Sequence, residues 1–301
     1  MKLRVFTAFS GYDSQCLALE RLKQNFPDFD YELVGWSEID KYAIQAHNAL
    51  FPQWADRNYG DISKIDWNEV PDFDLFTYSS PCQDFSNAGL QRGGEEGSGT
   101  RSSLLWECRK AILIKRPKYL LLENVKALVS KKFLPLFGKW VSFLENYGYY
   151  CTHQVLNAKD YGVPQNRERV FLWSVRRDIL DPTPQYSFPK PFPLERRLKD
   201  VLEEKVDEKY YLSDKTVASF AEHCARKQAE GCGFKFEPTT GGGMPRASQP
   251  TRVAEKPTIT SNVKIKGRVN NSQDGVVCDT NGIAPTHTAG HGNCPKIIDN
   301  G

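Results

Sequence analysis

Arg4-Val5-Phe6-Thr7-Ala8-Phe9-Ser10-Gly11-Tyr12-Asp13-Ser14 is the stretch from which the fold can be read. A short run of apolar and β-branched residues passes into a small polar turn containing a glycine. Gln15–Gln24 then repeats its apolar side chains at helical spacing. Strand, turn and helix in that order are the opening of a βαβ unit. The alternation continues to about residue 180, with strands predicted at Arg4–Phe9, Tyr31–Ser37, Asp74–Ser79, Tyr119–Glu123, Tyr149–Val155 and Val170–Val175. Helices are predicted at Gln15–Gln24, Lys41–Leu50, Ser102–Ile114 and Phe133–Asn146, with Pro117 and Gly148 as stops. Such a series predicts an α/β fold with a doubly wound, mostly parallel sheet.

The texture changes at Asp181, where Pro182, Pro184, Pro189, Pro191 and Pro193 follow one another. A proline-rich stretch of this kind leaves one domain for the next, and the boundary is placed near 185. The first domain is therefore 1–185 and the second 186–301, with a short helix expected at Leu194–Leu202, a longer one at Asp214–Glu230, and β-like runs such as Gly275–Cys278. The longest apolar runs fall far short of the roughly 20 residues of a membrane span, and no signal-peptide core follows Met1-Lys2-Leu3-Arg4, so a soluble intracellular protein is expected. The cysteines are scattered without a C-x-x-C pair, which argues for reduced thiols and against a disulfide framework or zinc site. A net charge of +3 is too small to single out a polyanionic partner, but Arg252, Lys256, Lys264, Lys266 and Arg268 gather positive charge in the C-terminal part.

Ligands of doubly wound sheets sit at the carboxyl ends of the strands, so the residues just beyond each strand are the candidates for chemistry. After the first strand comes the Phe9–Ser14 turn. The second ends at Ser37-Glu38, about 27 residues beyond Gly11, where an acid can accept hydrogen bonds from both ribose hydroxyls of an adenosine-type cofactor. Gly60-Asp61-Ile62 offers a second carboxylate. After the third strand stands Ser80-Pro81-Cys82-Gln83-Asp84-Phe85-Ser86, in which Cys82 is a candidate nucleophile at a strand-to-loop exit. Tyr119-Leu120-Leu121-Leu122 runs into Glu123-Asn124-Val125, setting a carboxyl at the mouth of an apolar strand, where a raised pKa would suit a general acid. In Gln165-Asn166-Arg167-Glu168-Arg169 an extended backbone would turn Arg167 and Arg169 to the same side.

These elements in this order resemble the DNA (cytosine-5) methyltransferase family of bacterial and phage type over roughly residues 3–200. Pro81-Cys82-Gln83 followed some 40 residues later by Glu123-Asn124-Val125 is the most specific part of the likeness. The resemblance implies a Rossmann-like domain of the class I S-adenosylmethionine-dependent type, with S-adenosylhomocysteine as product, joined to a smaller loop-rich target-recognition domain. It implies that Phe9, Ser10, Gly11, Tyr12, Asp13, Glu38, Ile39, Asp61, Ile62, Pro81 and Leu104 line the cofactor site. Cys82 would be the nucleophile on carbon 6, Glu123 would engage N3 and the exocyclic amine, and Arg169 would hold O2 with Arg167 in support. Gln83 and Ser86, with Lys264, Lys266 and Arg268, would meet the DNA. The implied partner is double-stranded DNA, with no membrane, in a bacterial or phage-infected cytoplasm at the nucleoid, and with a restriction endonuclease as companion if the setting is restriction-modification.

Two departures stand out. Asp13 replaces the second glycine of the family's first turn, where its carboxylate would repel the cofactor's carboxylate or attract its ammonium group. Gly282-Ile283-Ala284-Pro285-Thr286 resembles the part of the recognition region that precedes the family's last two conserved segments, yet no Arg-x-Leu-x-x-x-Glu element follows before Gly301. A truncated chain is the expectation; completion by another polypeptide and a degenerate copy stay open. So do an RNA methyltransferase of the same fold and an inactive nucleic-acid-binding subunit.

Overall fold

The structure is a computed structural model, and it describes residues 2–81, 94–180, 186–202, five single positions from 213 to 226, and short strands at 267–268, 276–279, 284–285 and 296–298. The chain divides into two compact units, residues 1–156 with 168–188, and residues 157–167 with 189–301.

The first unit is built on a sheet of six strands, β1 (Lys2–Ala8), β2 (Asp30–Ser37), β3 (Leu75–Tyr78), β4 (Tyr119–Val125), β5 (Tyr149–Asn157) and β7 (Glu168–Arg176), in the order β2-β1-β3-β4-β7-β5. β1, β2, β3 and β4 are parallel, and β7 runs antiparallel to β4. All four residues from Val5 to Ala8 are buried, because a central parallel strand is covered on both faces. Alternation then sorts the core. Val5 packs with Cys16, Leu19, Leu33, Trp36 and Leu75, whereas Phe6 packs with Trp67, Phe76 and Tyr78 in a larger cluster that also holds Ile112, Trp140 and Leu144. Gly35 of β2 makes this possible, since a Cβ there would stand 2.7 Å from the Phe6 and Tyr59 rings.

Among the described residues four α-helices cover the two faces. α1 (Ser14–Asn25) and α2 (Lys41–Leu50) supply Cys16, Leu19 and Ile44 to the Val5 cluster. α3 (Cys108–Lys115) and α4 (Leu134–Asn146) supply Ala111, Ile112, Leu136, Phe137, Trp140 and Leu144 to the Phe6 cluster. In α4 those apolar residues recur at helical spacing on one stripe. α2 starts at Asp40, whose carboxylate accepts from the Tyr42 and Ala43 amides at 2.9 Å, and Pro52 lies just beyond its end.

The structure departs from the sequence reading in three places. The helix expected at 102–114 begins as a 3-10 turn over Arg101–Glu107 and becomes α-helical only at Cys108. The hydroxyls of Ser102 and Ser103 donate to Pro81 O and Thr100 O, backbone partners that compete with regular helix geometry. The helix expected at Leu194–Leu202 is a single 3-10 turn at Leu198–Val201, whose start is held by the Asp200 carboxylate accepting from the Arg197 amide at 2.6 Å. The third concerns residues 157–167, which leave the first unit between β5 and β7. Tyr161 Oη donates to Pro189 O at 2.9 Å, the Phe192 amide donates to Asp160 O at 3.0 Å, and the Tyr161 and Phe192 rings meet edge to face.

In the second unit β6 (Gln165–Asn166) pairs in parallel with β10 (Ala284–Pro285). β9 (Val276–Asp279) lies between β8 (Gly267–Arg268) and β11 (Lys296–Ile298). Of the helix expected at Asp214–Glu230, the described positions are Lys215, Ser219, Glu222 and Arg226, all helical. Among the described residues no helix is long and apolar enough to cross a membrane.

Candidate active site

The chain leaves β1 toward β2 on one side, while β3 and β4 lie on the other, so the topological switch point falls between β1 and β3. A crevice opens at the carboxyl ends of strands at such a point. The turns after β1, β2, β3 and β4 therefore frame the candidate site.

The turn after β1 is tightly wound. Phe9, Gly11 and Asp13 all have positive φ, at 55°, 59° and 66°. The left-handed region costs a non-glycine residue about 1–2 kcal/mol, so two such residues persist only where other contacts hold them. Phe9 packs against the main core. The Ser10 amide donates to Ser37 O at 3.2 Å, and the Gly11 amide donates to Glu38 Oε2 at 2.9 Å. The second Glu38 oxygen accepts from the Ile39 and Asp40 amides at 2.8 and 2.9 Å. A carboxylate offers about four acceptor sites, so this one retains capacity after three backbone donors. Asn58 braces the same position, accepting from the Glu38 amide and donating to its carbonyl.

Asp61 lies on the far side of Asn58 in sequence. The Ser63 hydroxyl at 2.8 Å, and then the Ser63 amide, hold its carboxyl below the ordinary carboxylate range. Ile39 and Tyr12 are exposed by 72% and 52%, two large apolar groups left in the open beside these turns. The residues fit an adenosyl group: an acid beside the glycine turn, a second acid, flanking apolar surfaces, open space over Gly11, and a buried Ser10 hydroxyl with no hydrogen-bond partner.

Two expected cofactor residues turn elsewhere. The Ile62 side chain is buried in the main core. The Asp13 carboxylate, expected to face the cofactor's charged end, is fully buried and spent inside the protein. It caps α1 through the Cys16 amide at 3.1 Å and accepts from Thr7 Oγ1 at 2.7 Å. Pro81 and Leu104 remain half-buried.

At the exit of β3 the backbone is pinned up to the last described residue before the predicted nucleophile. Asn124 Nδ2 donates to Ser80 O and Ser80 Oγ at 3.1 and 3.2 Å, and Ser102 Oγ donates to Pro81 O at 2.8 Å. Sequence reasoning missed both clamps. Asn124 had a signal in the quoted Glu123-Asn124-Val125, a polar side chain in an apolar strand, whereas nothing local marks Ser102. Cys82, Gln83 and Ser86 lie outside the described residues, as do Lys264 and Lys266; Arg268 is described only as part of β8. The chain resumes at Gly94, whose carbonyl accepts from Trp106 Nε1 at 3.0 Å. Cys16, Cys108 and Cys151 are poorly suited to nucleophilic attack. Burial pushes the Cys16 and Cys108 thiols far up, and that of Cys151 to about 11.

At the end of β4 Glu123 meets Arg169 of β7, with Arg169 Nε 3.0 Å from Glu123 Oε1. The apolar strand thus ends in a carboxylate with a guanidinium partner rather than an isolated carboxyl. The two side chains are 24% and 13% exposed, reachable by a ligand yet shielded from bulk water. Antiparallel pairing sets this up by placing Arg169 opposite Val125 and Phe171 opposite Glu123. Arg167 belongs to the second unit, where its amide donates to Asn157 Oδ1 at 3.0 Å and its carbonyl accepts from the Ala158 amide.

Comparison with known proteins agrees with this geometry. The family description "C-5 cytosine-specific DNA methylase" matches residues 3–289. The type II methyltransferase M2.ScrFI of Lactococcus lactis subsp. cremoris is 41% identical over 267 residues, covering 72% of each chain. The orphan methyltransferase M.Rho11sI of Bacillus phage rho11s is 32% identical over 314 residues, covering 96% of this chain and 58% of its own. The chain spans between about half and three quarters of the length of the curated relatives it matches. Among solved structures, a putative DNA modification methyltransferase encoded within an E. coli prophage superposes with a TM-score of 0.55 at 20% identity, covering 94% of this chain and 82% of that one. The Dnmt2 methyltransferase of S. pombe gives 0.53 at 20% identity, covering 74% and 66%. Strand order, switch-point site and sequence match together place this chain in the family of C-5 cytosine-specific DNA methylases.

Proposed function

We propose that the chain methylates carbon 5 of a cytosine flipped out of duplex DNA, through a covalent adduct at Cys82. The observation that carries this reading is the Glu123–Arg169 pair at 3.0 Å, on the strand whose Asn124 holds the exit toward Cys82. Carbon 5 of cytosine is too weak a nucleophile to be methylated directly, so a thiolate must first add at carbon 6. Cys82 supplies that sulfur. Glu123 engages N3 and the exocyclic amine, so that negative charge does not build on the ring, and Arg169 holds O2, with Arg167 in support. Once carbon 5 carries the methyl group, loss of its proton expels Cys82 and restores the ring.

Ser10, Gly11, Glu38, Ile39 and Asp61 would hold S-adenosylmethionine, with Phe9, Tyr12, Pro81 and Leu104 around them. When bound, that cofactor supplies a methyl group activated on a sulfonium. These atoms are out of reach inside a duplex, so the base must leave the stack. Gln83 and Ser86 beside the nucleophile, and Lys264, Lys266 and Arg268 in the second unit, would meet the DNA, with the second unit as target-recognition module. The names of the relatives favour a restriction-modification or phage setting, hence a cytoplasmic enzyme acting on nucleoid DNA, with a cognate endonuclease in the first case.

The test is incubation with labelled S-adenosylmethionine and duplex DNA containing 5-fluorocytosine, which blocks loss of the carbon 5 substituent and traps the adduct. A denaturant-stable complex that vanishes in Cys82→Ser is expected. Full methylation by Cys82→Ser would overturn the assignment.

A further inference from the structure

Asp13 ends the turn after β1 in a left-handed conformation that glycine adopts more easily, and its carboxylate is fully buried. The carboxylate ties three elements together. Oδ2 accepts from Thr7 Oγ1 of β1, Oδ1 caps α1 at the Cys16 amide, and the His47 Nε2 of α2 stands 3.6 Å from Oδ2. The imidazole is itself fully buried. It stacks on Trp36 of β2 at 3.7 Å between centroids and leans on Phe51, so its approach to Asp13 is fixed by packing. The same α2 starts directly after Glu38-Ile39-Asp40, and Glu38 in turn holds the Gly11 amide. The two turns that flank the crevice are thus linked above by Gly11 and Glu38, and below by Asp13 and His47.

We propose that Asp13 and His47 are a positioning pair for the cofactor turn, setting cofactor affinity by fixing Gly11 and Glu38 while neither side chain touches the cofactor. A buried carboxylate that loses its neighbour repacks or draws in water, and the turn above it moves. Glycine at this position would need neither the carboxylate nor the histidine. The pair therefore makes a distinct prediction: His47 matters only while Asp13 is present.

The inference rests on the reading of residues 9–13 as the cofactor turn, and the experiment separates the two. Binding of S-adenosylhomocysteine to the full chain is measured by calorimetry for the native protein, Glu38→Gln, His47→Phe, His47→Gln, Asp13→Gly and Asp13→Gly with His47→Phe. His47→Phe keeps an aromatic ring on Trp36 and removes both ring nitrogens, the Nε2 facing Asp13 and the Nδ1 that lies 3.4 Å from Asn48 Oδ1. It is expected to weaken binding about tenfold, to raise KM for S-adenosylmethionine in proportion, and to leave kcat at saturating cofactor unchanged. Asp13→Gly is expected to bind within about threefold of native, and adding His47→Phe to it should change nothing further. Native affinity in both His47 variants, or additive losses in the double variant, would overturn the pair. Loss of folding in His47→Phe that Asp13→Gly repairs supports it, and loss that Asp13→Gly leaves in place overturns it. No binding by the native chain, or native binding by Glu38→Gln, would instead overturn the reading of the turn.

Discussion

Replacing Asn124 by alanine removes three hydrogen bonds at once: two from Nδ2 to Ser80, and one accepted by Oδ1 from the Val125 amide. Asn124 and Ser80 are 2% and 3% exposed, so water has little access to the groups left behind. A buried polar group stripped of its partner costs about 1–3 kcal/mol, and the Ser80 carbonyl and the Val125 amide both lose one. A total of about 2–6 kcal/mol is expected, which for a unit of this size lowers Tm by about 4–24 °C. The chemistry should suffer as well as the folding. Ser80 and Pro81 set where the chain delivers Cys82, and a displacement of about 1 Å at a reacting group costs on the order of 100-fold in rate. The assay pairs urea denaturation with single-turnover adduct formation on 5-fluorocytosine duplex, run where the variant remains folded. A loss of stability under about 0.5 kcal/mol would refute the assignment of that cost to the buried Ser80 and Val125 groups. A native trapping rate would refute the claim that Asn124 positions the nucleophile.

Glu123→Gln keeps an oxygen for Arg169 but can neither carry charge nor exchange a proton, so methyl transfer should slow by about 100- to 10,000-fold while cofactor binding is retained. An unchanged single-turnover rate would make the carboxylate purely structural. Asp74 offers a test away from the site. Burial pushes its carboxyl up, but Lys118 at 2.7 Å and the Arg4 amide together outweigh burial and hold it below the ordinary 3.8. The folded chain therefore binds that proton less readily than the unfolded chain. The stability it contributes is complete above the ordinary value and is lost as pH falls through the depressed one. Asp74→Asn should be less stable than native at neutral pH, with a flatter decline in urea midpoint on acidification; parallel curves would contradict this.

What could be read in advance was whatever local rules decide. The run from Arg4 to Ser14 is a strand, a turn and a capped helix because each step is enforced by neighbouring residues, and β1 and α1 formed where that run predicts. The chemistry-bearing positions at strand ends followed from the same reading. The features that escaped depend on partners remote in sequence. Ser102 reaches back 21 residues to Pro81, and its hydroxyl helps hold the start of the expected helix in 3-10 form. Asp13 reads as a carboxylate facing the cofactor's charged end, and only Thr7 and His47, brought against it by the fold, show it turned inward. Residues 157–167 look like a continuation of the first domain, and only distant partners, Pro189, Phe192 and the β10 strand paired with β6, draw them into the second unit. The insertion of β7 between β4 and β5 likewise has no signature in periodicity, because an antiparallel strand packed on both faces reads the same as a parallel one.

That insertion also dictates an order of assembly. β5 leaves the ribosome before β7, yet its place in the sheet lies beyond β7, so β5 has no completed edge to join until Glu168–Arg176 has been made. Until then the Tyr119-Leu120-Leu121-Leu122 edge of β4 stands open to mispairing, with β5 the nearest wrong partner. Closing it requires contacts between residues some 50 apart, which makes this a slow step of folding. Arg169 arrives on the strand that closes the gap, so the Glu123–Arg169 pair cannot form before that strand is made. The Glu123–Arg169 pair and the covered edge of β4 therefore form in the same event.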